Sequence, residues 1–429
     1  MVILDLKNVK RVFKLLRHDK DFSYKDIIKN KKIQKLFYKK IKMNNVLNTK
    51  NKKSQNNWKK AKKLIAGGNM LLSKNPDRHL KNFWPAYYKS ARGCKIKDYD
   101  NNTYTDLYLM GVGTNILGYG NKEIDNAVKK SISSGNMSSL NCFEEVQLAE
   151  KLIKIHPQFN MAKFAKTGGE ANAVAIRIAR AAAGRDKVAI CGYHGWHDWY
   201  LAANLKSKKN LNSHLLEGLE SIGVPKSLKN TISSFRMNSF NDLEKIKKIK
   251  KLAAIIMEVQ REKEPSLKFL KEIRKFCNEK KIILIFDECT SGFRQNLGGI
   301  HMKYKIYPDI AMFGKALGNG YAITAVIGKK EIFSHAKFSF ISSTFWTERI
   351  GFVAGLATIN EMKKIKSWKT ISKNGKYINK QWLNLAKKYD LKIEIKGIEA
   401  ITSFSFISKN NNKYKTFITQ EMLKKGYLA

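Results

Sequence analysis

Residues 252–287 read LAAIIMEVQREKEPSLKFLKEIRKFCNEKKIILIFD, and this stretch decides the fold class. Two apolar segments, Leu252–Glu258 and Ile282–Asp287, have the length of buried strands, and the helical pattern Leu267–Glu279 lies between them. Further strands are predicted at Lys187–Cys191, Ile310–Phe313 and Ala322–Ile327, and a hairpin at Lys95–Tyr99 and Tyr104–Tyr108. This alternation predicts an α/β domain in which helices cover both faces of a mostly parallel or mixed sheet.

The chemical candidates follow strands or precede helices, where such sheets hold their ligands. Asp287 ends an apolar strand, and a buried carboxylate needs a partner, which a salt bridge or a helix cap would also supply. Lys315 follows the strand Ile310–Phe313 and precedes the Gly-rich stretch 318–320. A partly desolvated lysine can lose its proton and act as a Schiff-base nucleophile. A surface lysine with a buried stem is the alternative.

A third candidate is the helix entry KTGGEA at residues 166–171, which opens a helix predicted to run through Ala183. Two glycines in front of a helix leave N–H groups at its positive end, and this arrangement suits a phosphate. Gly-rich helix entries are common, so the signal gains weight only in combination with the others.

Taken in chain order, the candidates form a pattern that resembles a known family. The order is the helix entry, then Tyr193-His194-Gly195, the strand-end Glu258, FDECTSGFR at residues 286–294, and Phe313-Gly314-Lys315. It resembles the class III, fold-type I aminotransferases that depend on pyridoxal 5′-phosphate (PLP), including the glutamate-1-semialdehyde 2,1-aminomutases and their aminotransferase relatives. The resemblance runs from about Trp58 to the last residue.

The resemblance implies a division of the chain into domains. A large PLP-binding domain with a mostly parallel, seven-stranded type of sheet would span residues 117–355, and a smaller α+β domain would combine residues 55–116 and 356–429. Because relatives continue beyond Gly426, the last part is expected to be truncated, which would leave a strand at Ile401–Ile407 with an unpaired edge. Residues 1–54 are Lys-rich and Asn-rich and are predicted to form a basic arm, with one or two amphipathic helices within Asp21–Met43.

The resemblance also implies roles for individual residues. Lys315 would form a Schiff base with PLP and carry the reacting proton, and Asp287 would keep the ring nitrogen protonated. Tyr193 would stack on the ring. The other cofactor-binding residues would be Thr167, Gly168, Gly169, His194, Glu258 and Thr344, the last of which would reach the phosphate of the neighbouring subunit in a homodimer with shared active sites.

Three departures from the family pattern bear on function. Thr167-Gly168-Gly169 stands where the family usually has Ser-Gly-Thr, and Val259 stands where Pro usually follows the glutamate. Residues 343–348 read STFWTE, where the mutases have a loop containing Gly and Asn. The last departure favours an aminotransferase, which moves an amino group between a small amino donor and a keto or aldehyde acceptor. The alternative is an aminomutase, which moves the group within one molecule.

The composition indicates whether nucleic acid, membranes, disulfides or zinc are expected. The chain has 429 residues and a formal charge of +47, but Lys, Asn and Ile are inflated together, as in A/T-rich genomes, so no nucleic-acid partner is expected. No apolar run approaches the roughly 20 residues that span a bilayer, and no signal peptide is evident, so no membrane partner is expected. Five scattered cysteines fit cytoplasmic thiols better than disulfides or zinc.

Two local motifs have alternative interpretations, and so does the function of the whole protein. His194 and His197 could suggest a metal, but no third ligand has a convincing spacing, and no metal is expected. The aromatic residues Trp196, Trp199 and Tyr200 could stack on bases but are interpreted as pocket wall and core. A PLP-type fold without turnover, acting as a binding or assembly component, is the alternative to an enzyme.

Overall fold

The structure, a computed structural model, describes residues 52–108, 110–212, 214 and 218–429, so the helices predicted within Asp21–Met43 lie outside the described residues. The strands in the described part of the chain are β1 (Tyr88–Arg92), β2 (Lys95–Asp98), β3 (Thr103–Asp106), β4 (Met161–Ala165), β5 (Lys187–Cys191), β6 (Ile232–Ser234), β7 (Leu252–Glu258), β8 (Ile283–Asp287), β9 (Ile310–Phe313), β10 (Thr324–Gly328), β11 (Ile393–Lys396), β12 (Ser403–Phe406) and β13 (Tyr427–Leu428).

The longer helices lie between these strands and at both ends of the described chain. Those of eight or more residues are α1 (Lys52–Leu64), α2 (Lys122–Ser133), α3 (Glu144–Ile155), α4 (Gly168–Ala183), α5 (Phe240–Lys247), α6 (Leu267–Glu279), α7 (Arg349–Ile365), α8 (Ser367–Lys388) and α9 (Asn411–Lys424). None of the helices in the described ranges is both long enough and apolar enough to cross a membrane.

The main sheet has seven strands in the order β4-β10-β9-β8-β7-β5-β6. Strand β10 runs antiparallel to both of its neighbours, and the other pairs are parallel. Every residue of β7 and β8 is buried, as expected for central strands that helices cover on both faces. The predicted α/β class with a mostly parallel seven-stranded sheet is therefore confirmed.

Local sequence explains the helices on the two faces. Helix α4 places an Ala/Val/Ile stripe on one face of the sheet and ends at Gly184, which adopts the left-handed conformation that stops a helix. Helix α6 begins after Ser266, whose hydroxyl caps the N–H of Phe269, and its apolar side packs on the opposite face. Helix α6 has the predicted bounds, and α4 ends at Ala183 as predicted.

The register of the central strands brings the chemical candidates to one edge of the sheet. Glu258 and Asp287, the last residues of β7 and β8, are directly paired across the ladder, and Asp287 is also paired with Met312 of β9. Lys315 comes two residues after β9 ends, and Tyr193 comes two residues after β5 ends. Because these strands are parallel, their carboxyl ends form a common edge, and the predicted strand-end candidates meet there.

Two smaller sheets lie outside the main one. Strands β1, β2, β3 and β13 form a four-stranded sheet in which β13 runs parallel to β3, so residues 427–428 join the part of the chain near residue 105. The strand expected at Ile401–Ile407 is Ser403–Phe406, which pairs with β11 in a two-stranded sheet. The predicted domain boundary at residue 355 falls within α7.

Candidate active site

The carboxylate of Asp287 is held by three hydrogen bonds at this edge of the sheet. Its Oδ2 accepts hydrogen bonds from His194 Nδ1 at 2.8 Å and from Asn172 Nδ2 at 3.0 Å, and its Oδ1 accepts one from the backbone N–H of Cys289 at 3.0 Å. Asp287, His194 and Asn172 are all buried. Burial alone would raise the pKa of Asp287, but the hydrogen bonds from these donors and the charge of His194 outweigh burial and hold the pKa below its ordinary value. The carboxylate is therefore kept as a fixed negative charge.

Two buried polar atoms beside this carboxylate lack partners among the described residues. They are Nε2 of His194 and Oδ1 of Asn172. Buried polar atoms are seldom left unpaired, and those that are require an explanation such as a bound group. Their position next to Asp287 fits a site that is completed by a polar ligand.

Lys315 faces a hydroxyl on the turn that follows β8. Its Nζ donates a hydrogen bond to Oγ1 of Thr290 at 2.7 Å. The backbone of Lys315 has φ +40°, a left-handed conformation that is unusual outside glycine and is concentrated at functional sites. Burial lowers the pKa of this lysine, and the nearby guanidinium groups of Arg261 and Arg294 act in the same direction. A neutral, nucleophilic amine is thereby favoured.

Glu258 links the lysine pocket to the loop after β5. Its Oε2 accepts from the backbone N–H of Tyr193 at 3.0 Å, and its Oε1 lies 3.0 Å from Nη1 of Arg261. Gly192 has φ +118°, and a Cβ there would come within 2.8 Å of Glu258 Oε2, so only glycine permits this approach. The aromatic ring of Tyr193 packs edge-on against Tyr200, with 5.8 Å between ring centroids.

The predicted phosphate turn lies at the N-terminus of α4. Thr167 and Glu170 form a capping box, in which Thr167 Oγ1 accepts from Glu170 N at 3.3 Å and donates to Glu170 Oε2 at 3.0 Å. The carboxylate of Glu170 is thus held back against the cap. The N–H groups of Gly168 and Gly169 lie in the first turn, where a helix has no internal acceptors for them.

The two glycines of this turn have no room for side chains. A Cβ on Gly168 would lie 3.0 Å from Sγ of Cys289, and a Cβ on Gly169 would lie 2.8 Å from the ring of His197. The turn after β8 and the loop after β5 therefore both pack directly against the start of α4. This packing brings the helix entry, Asp287 and Lys315 into one site.

Thr344 is the one predicted residue that the single chain does not bring into this group. It is exposed at the start of a short 3₁₀ turn, Thr344–Thr347. Its neighbour Trp346 reaches the helix entry, because Trp346 Nε1 donates to Glu170 Oε1 at 3.2 Å. The segment therefore borders the predicted phosphate turn and faces outward.

Several side chains of the site escaped sequence reasoning, namely Asn172, Thr290, Arg261 and Arg294. One usable signal was present, because Asn172 is a polar residue within the apolar stripe of α4. Of the aromatic residues after β5, Trp199 and Tyr200 are buried, whereas Trp196 is 71% exposed and stacks on His197. Within the described residues, no group of three or more His, Cys, Asp or Glu side chains could hold a metal ion.

The family follows from a sequence comparison. A family model described as aminotransferase class III matches residues 77–429. The chain belongs to this family. It is accordingly a PLP-dependent enzyme of the aminotransferase type.

Individual relatives carry two kinds of name. The chain is 31% identical over 381 residues to 3-aminobutyryl-CoA aminotransferase of Cloacimonas acidaminovorans, covering 86% of this chain and 87% of the relative. It is 33% identical over 356 residues to glutamate-1-semialdehyde 2,1-aminomutase of Methanosphaera stadtmanae, covering 79% and 80%. Similarity at this level therefore extends to both the aminotransferases and the aminomutases.

A solved structure agrees with the fold. The FumI protein of Sphingopyxis sp. MTA144, determined in its PLP internal aldimine form, superposes with a TM-score of 0.77. The two sequences are 23% identical, and the superposition covers 88% of each chain. The fold-type I architecture predicted from the sequence is therefore confirmed.

Proposed function

We propose that this class III enzyme is an aminotransferase in which Lys315 binds the cofactor covalently and Asp287 holds the charge opposite the ring nitrogen. The observation that carries the proposal is the buried carboxylate of Asp287, which receives three hydrogen bonds and lies one strand away from a desolvated lysine. PLP, when bound, draws electrons from the substrate carbon and makes its proton removable.

The residues around Asp287 prepare it for this task. A carboxylate that is buried, anionic and fixed by His194 and Asn172 offers a permanent counter-charge to a protonated ring nitrogen. His194 and Asn172 restrict the orientation of the carboxylate and keep it ionised. The amine of Lys315, whose pKa is lowered by burial, can attack a carbonyl carbon and later accept and return a proton.

The other end of the cofactor is proposed to lie at the start of α4. The N–H groups of Gly168 and Gly169 and the positive end of the helix dipole favour a phosphate there. Thr167 contributes as the cap that shapes the turn and holds Glu170 away from an incoming anion. Tyr193 supplies an aromatic face beside Glu258, which fixes its backbone.

A homodimer is proposed as the working form, with Thr344 contributing to the partner's site. Five large apolar side chains in residues 140–143 and 338–345 are exposed, namely Leu140 (82% exposed), Phe143 (67%), Phe338 (80%), Phe340 (87%) and Phe345 (67%). Large apolar side chains exposed in this way support an interaction site.

The aminomutase is retained as the second candidate because a relative of that name is 33% identical to this chain. The loop at residues 343–348, whose sequence STFWTE differs from that of the mutases, favours the aminotransferase.

All five cysteines are free thiols, which supports a cytoplasmic location.

Borohydride reduction of the cofactor-loaded enzyme, followed by peptide mapping, tests the lysine assignment. We expect the cofactor to be fixed to Lys315, and Lys315→Ala should lose turnover. A label on another lysine, or normal turnover by the alanine variant, would contradict the proposal. Lys163 is a suitable control for substitution, because its Nζ binds the Ile341 carbonyl on the outer part of the sheet.

A second experiment separates the aminotransferase from the aminomutase. The loaded enzyme is mixed with an amino donor alone, and the release of a free keto or aldehyde product is followed together with the cofactor absorbance. An aminotransferase releases one product per site and then needs an acceptor. An enzyme that isomerises glutamate 1-semialdehyde without releasing a product would establish the aminomutase instead.

A further inference from the structure

We propose that Thr290 is the positioning residue for Lys315, and that its hydroxyl sets the direction of the lysine amine during proton transfer. The inference rests on the proposed role of Lys315. Thr290 Oγ1 accepts a hydrogen bond from Lys315 Nζ at 2.7 Å, which is a short contact for an amine and a hydroxyl. Thr290 is buried, so water does not compete freely for either group.

The hydroxyl is held in place by the same turn that fixes Asp287. The backbone N–H of Cys289 donates to Asp287 Oδ1 at 3.0 Å, which closes a tight turn immediately before Thr290. The carbonyl of Thr290 accepts from Arg294 Nε at 2.5 Å, and a second nitrogen of Arg294 binds the Gly113 carbonyl. Thr290 is therefore anchored on both sides, and its hydroxyl keeps a fixed position relative to the carboxylate of Asp287.

This arrangement gives the hydroxyl a definite chemical task. A neutral lysine amine has two N–H bonds and one lone pair, and donation of one N–H to Thr290 restricts where the lone pair points. The lysine accepts the proton from the substrate carbon through that lone pair and returns the same proton. Thr290 keeps its own proton and accepts only the hydrogen bond, so it acts through Lys315 and is a positioning residue.

The charges that face Lys315 come from two elements. Glu258 and Arg261 lie at and after the end of β7, and Cys289 and Arg294 lie on the turn after β8. The hydroxyl of Thr290 is the neutral acceptor among them. Because an acceptor stabilises the ammonium form more than the amine, its removal should move the titration of Lys315 to lower pH.

The test compares Thr290→Val with Thr290→Ser. Lys315 is labelled competitively by acetic anhydride in the cofactor-free protein over a range of pH, and its peptide is quantified by mass spectrometry. We expect the valine variant to reach half-maximal labelling about half a pH unit or more below the native protein. In the loaded enzyme, kcat should fall roughly ten-fold to a hundred-fold while KM changes by less than about two-fold.

The serine variant and a control on the same turn complete the design. Thr290→Ser retains the hydroxyl and should keep both the native labelling pH and most of kcat. Ser291→Ala removes a hydroxyl that contacts Glu288 Oε2 at 3.2 Å, and it should leave the labelling of Lys315 unchanged. If the valine variant does not fold, Thr290→Ala removes the same hydroxyl without a branched side chain and carries the same expectation.

The possible results separate this inference from the proposed function. If borohydride marks Lys315 but the valine variant labels and turns over like the native enzyme, the positioning role is wrong and the proposed function stands. The inference is also wrong if the serine variant behaves like valine. If borohydride marks a different lysine, the proposed function fails, and the inference fails with it.

Discussion

Substitution of Asp287 by Asn removes a charge and nearly nothing else, so it separates the electrostatic role of this residue from its structural role. Three donors converge on the carboxylate: His194 Nδ1 and Asn172 Nδ2 at Oδ2, and Cys289 N at Oδ1. An amide has one acceptor oxygen, so its NH₂ group must face at least one of these donors. An unmet buried donor costs about 1–3 kcal/mol of the free energy of unfolding.

The loss of activity should be larger than the loss of stability. If Asp287 is the counter-charge to the ring nitrogen, its neutralisation breaks a buried ion pair, which costs about 3–5 kcal/mol. A cost of that size lowers kcat by roughly a hundred-fold to a few thousand-fold, since about 1.4 kcal/mol corresponds to ten-fold. The melting temperature should fall by about 2–12 °C, because a stability loss of about 1 kcal/mol shifts a large domain by roughly 2–4 °C.

The assay measures kcat under saturating donor, cofactor occupancy from absorbance, and the melting temperature of each variant. Asn172→Leu is the matched control, because it removes one donor to Asp287 and retains the carboxylate. The control should show a comparable decrease in melting temperature with less than about a ten-fold loss of kcat. If the Asp287→Asn variant is fully loaded and its rate stays within a few-fold of native, Asp287 has a structural role only, and the reasoning is refuted.

Three further predictions concern the pH dependence of stability, PLP binding and the N-terminal arm. Burial lowers the pKa of His156 to about 4, and its Nε2 accepts from the Gly299 N–H at 2.9 Å. As the pH falls, His156 therefore takes up a proton in the unfolded chain before it does so in the folded chain. About 3 kcal/mol of the free energy of unfolding should be lost as pH falls from 6.5 to 4. Urea unfolding of His156→Gln should show a flatter pH dependence over that range, and an unchanged dependence would contradict the assignment. Gly195 has φ +104°, and a Cβ there would lie 3.0 Å from the Cα of Gly169, so Gly195→Ala should weaken PLP binding, measured by titration of the cofactor-free protein; an unaltered affinity would show that the loop tolerates the methyl group. Deletion of residues 1–51 should leave kcat and PLP content unchanged, and a folded but inactive product would show that the arm takes part in the chemistry.

The deletion ends at residue 51, and not at the predicted end of the arm at residue 54, because of contacts that only the structure reveals. Ser54 was placed in the arm on composition, but it is buried, and its hydroxyl accepts the backbone N–H groups of Ala86 and Tyr87. The N–H groups of Lys53 and Ser54 bind the carboxylate of Asp100. Composition changes gradually along a chain, whereas the start of a packed helix depends on partners far away in sequence.

The strands and the chemistry at their ends were predictable from sequence, because a buried strand must be apolar and a charged residue at its end is conspicuous. Leu252–Glu258 and Ile310–Phe313 agree with the structure residue by residue, and Asp287 ends its strand as predicted. Short or partly exposed strands such as Met161–Ala165 and Ile232–Ser234 were not predicted, since neither has a long apolar run. Periodicity detects burial on a repeating face, and these strands bury too few residues to produce a clear pattern.

The sequence alone determined the fold class and the family and singled out Lys315 and Asp287 as candidates, because each of these inferences rests on short motifs along the chain. The partners of those two residues were decided only by tertiary structure. His194 and Asn172 reach Asp287 from the loop after β5 and from α4, across separations of 93 and 115 residues, and Thr290 reaches Lys315 from the neighbouring turn. A hydrogen bond requires a distance near 3 Å and a favourable angle, and no local pattern encodes the packing of strands and helices that supplies them.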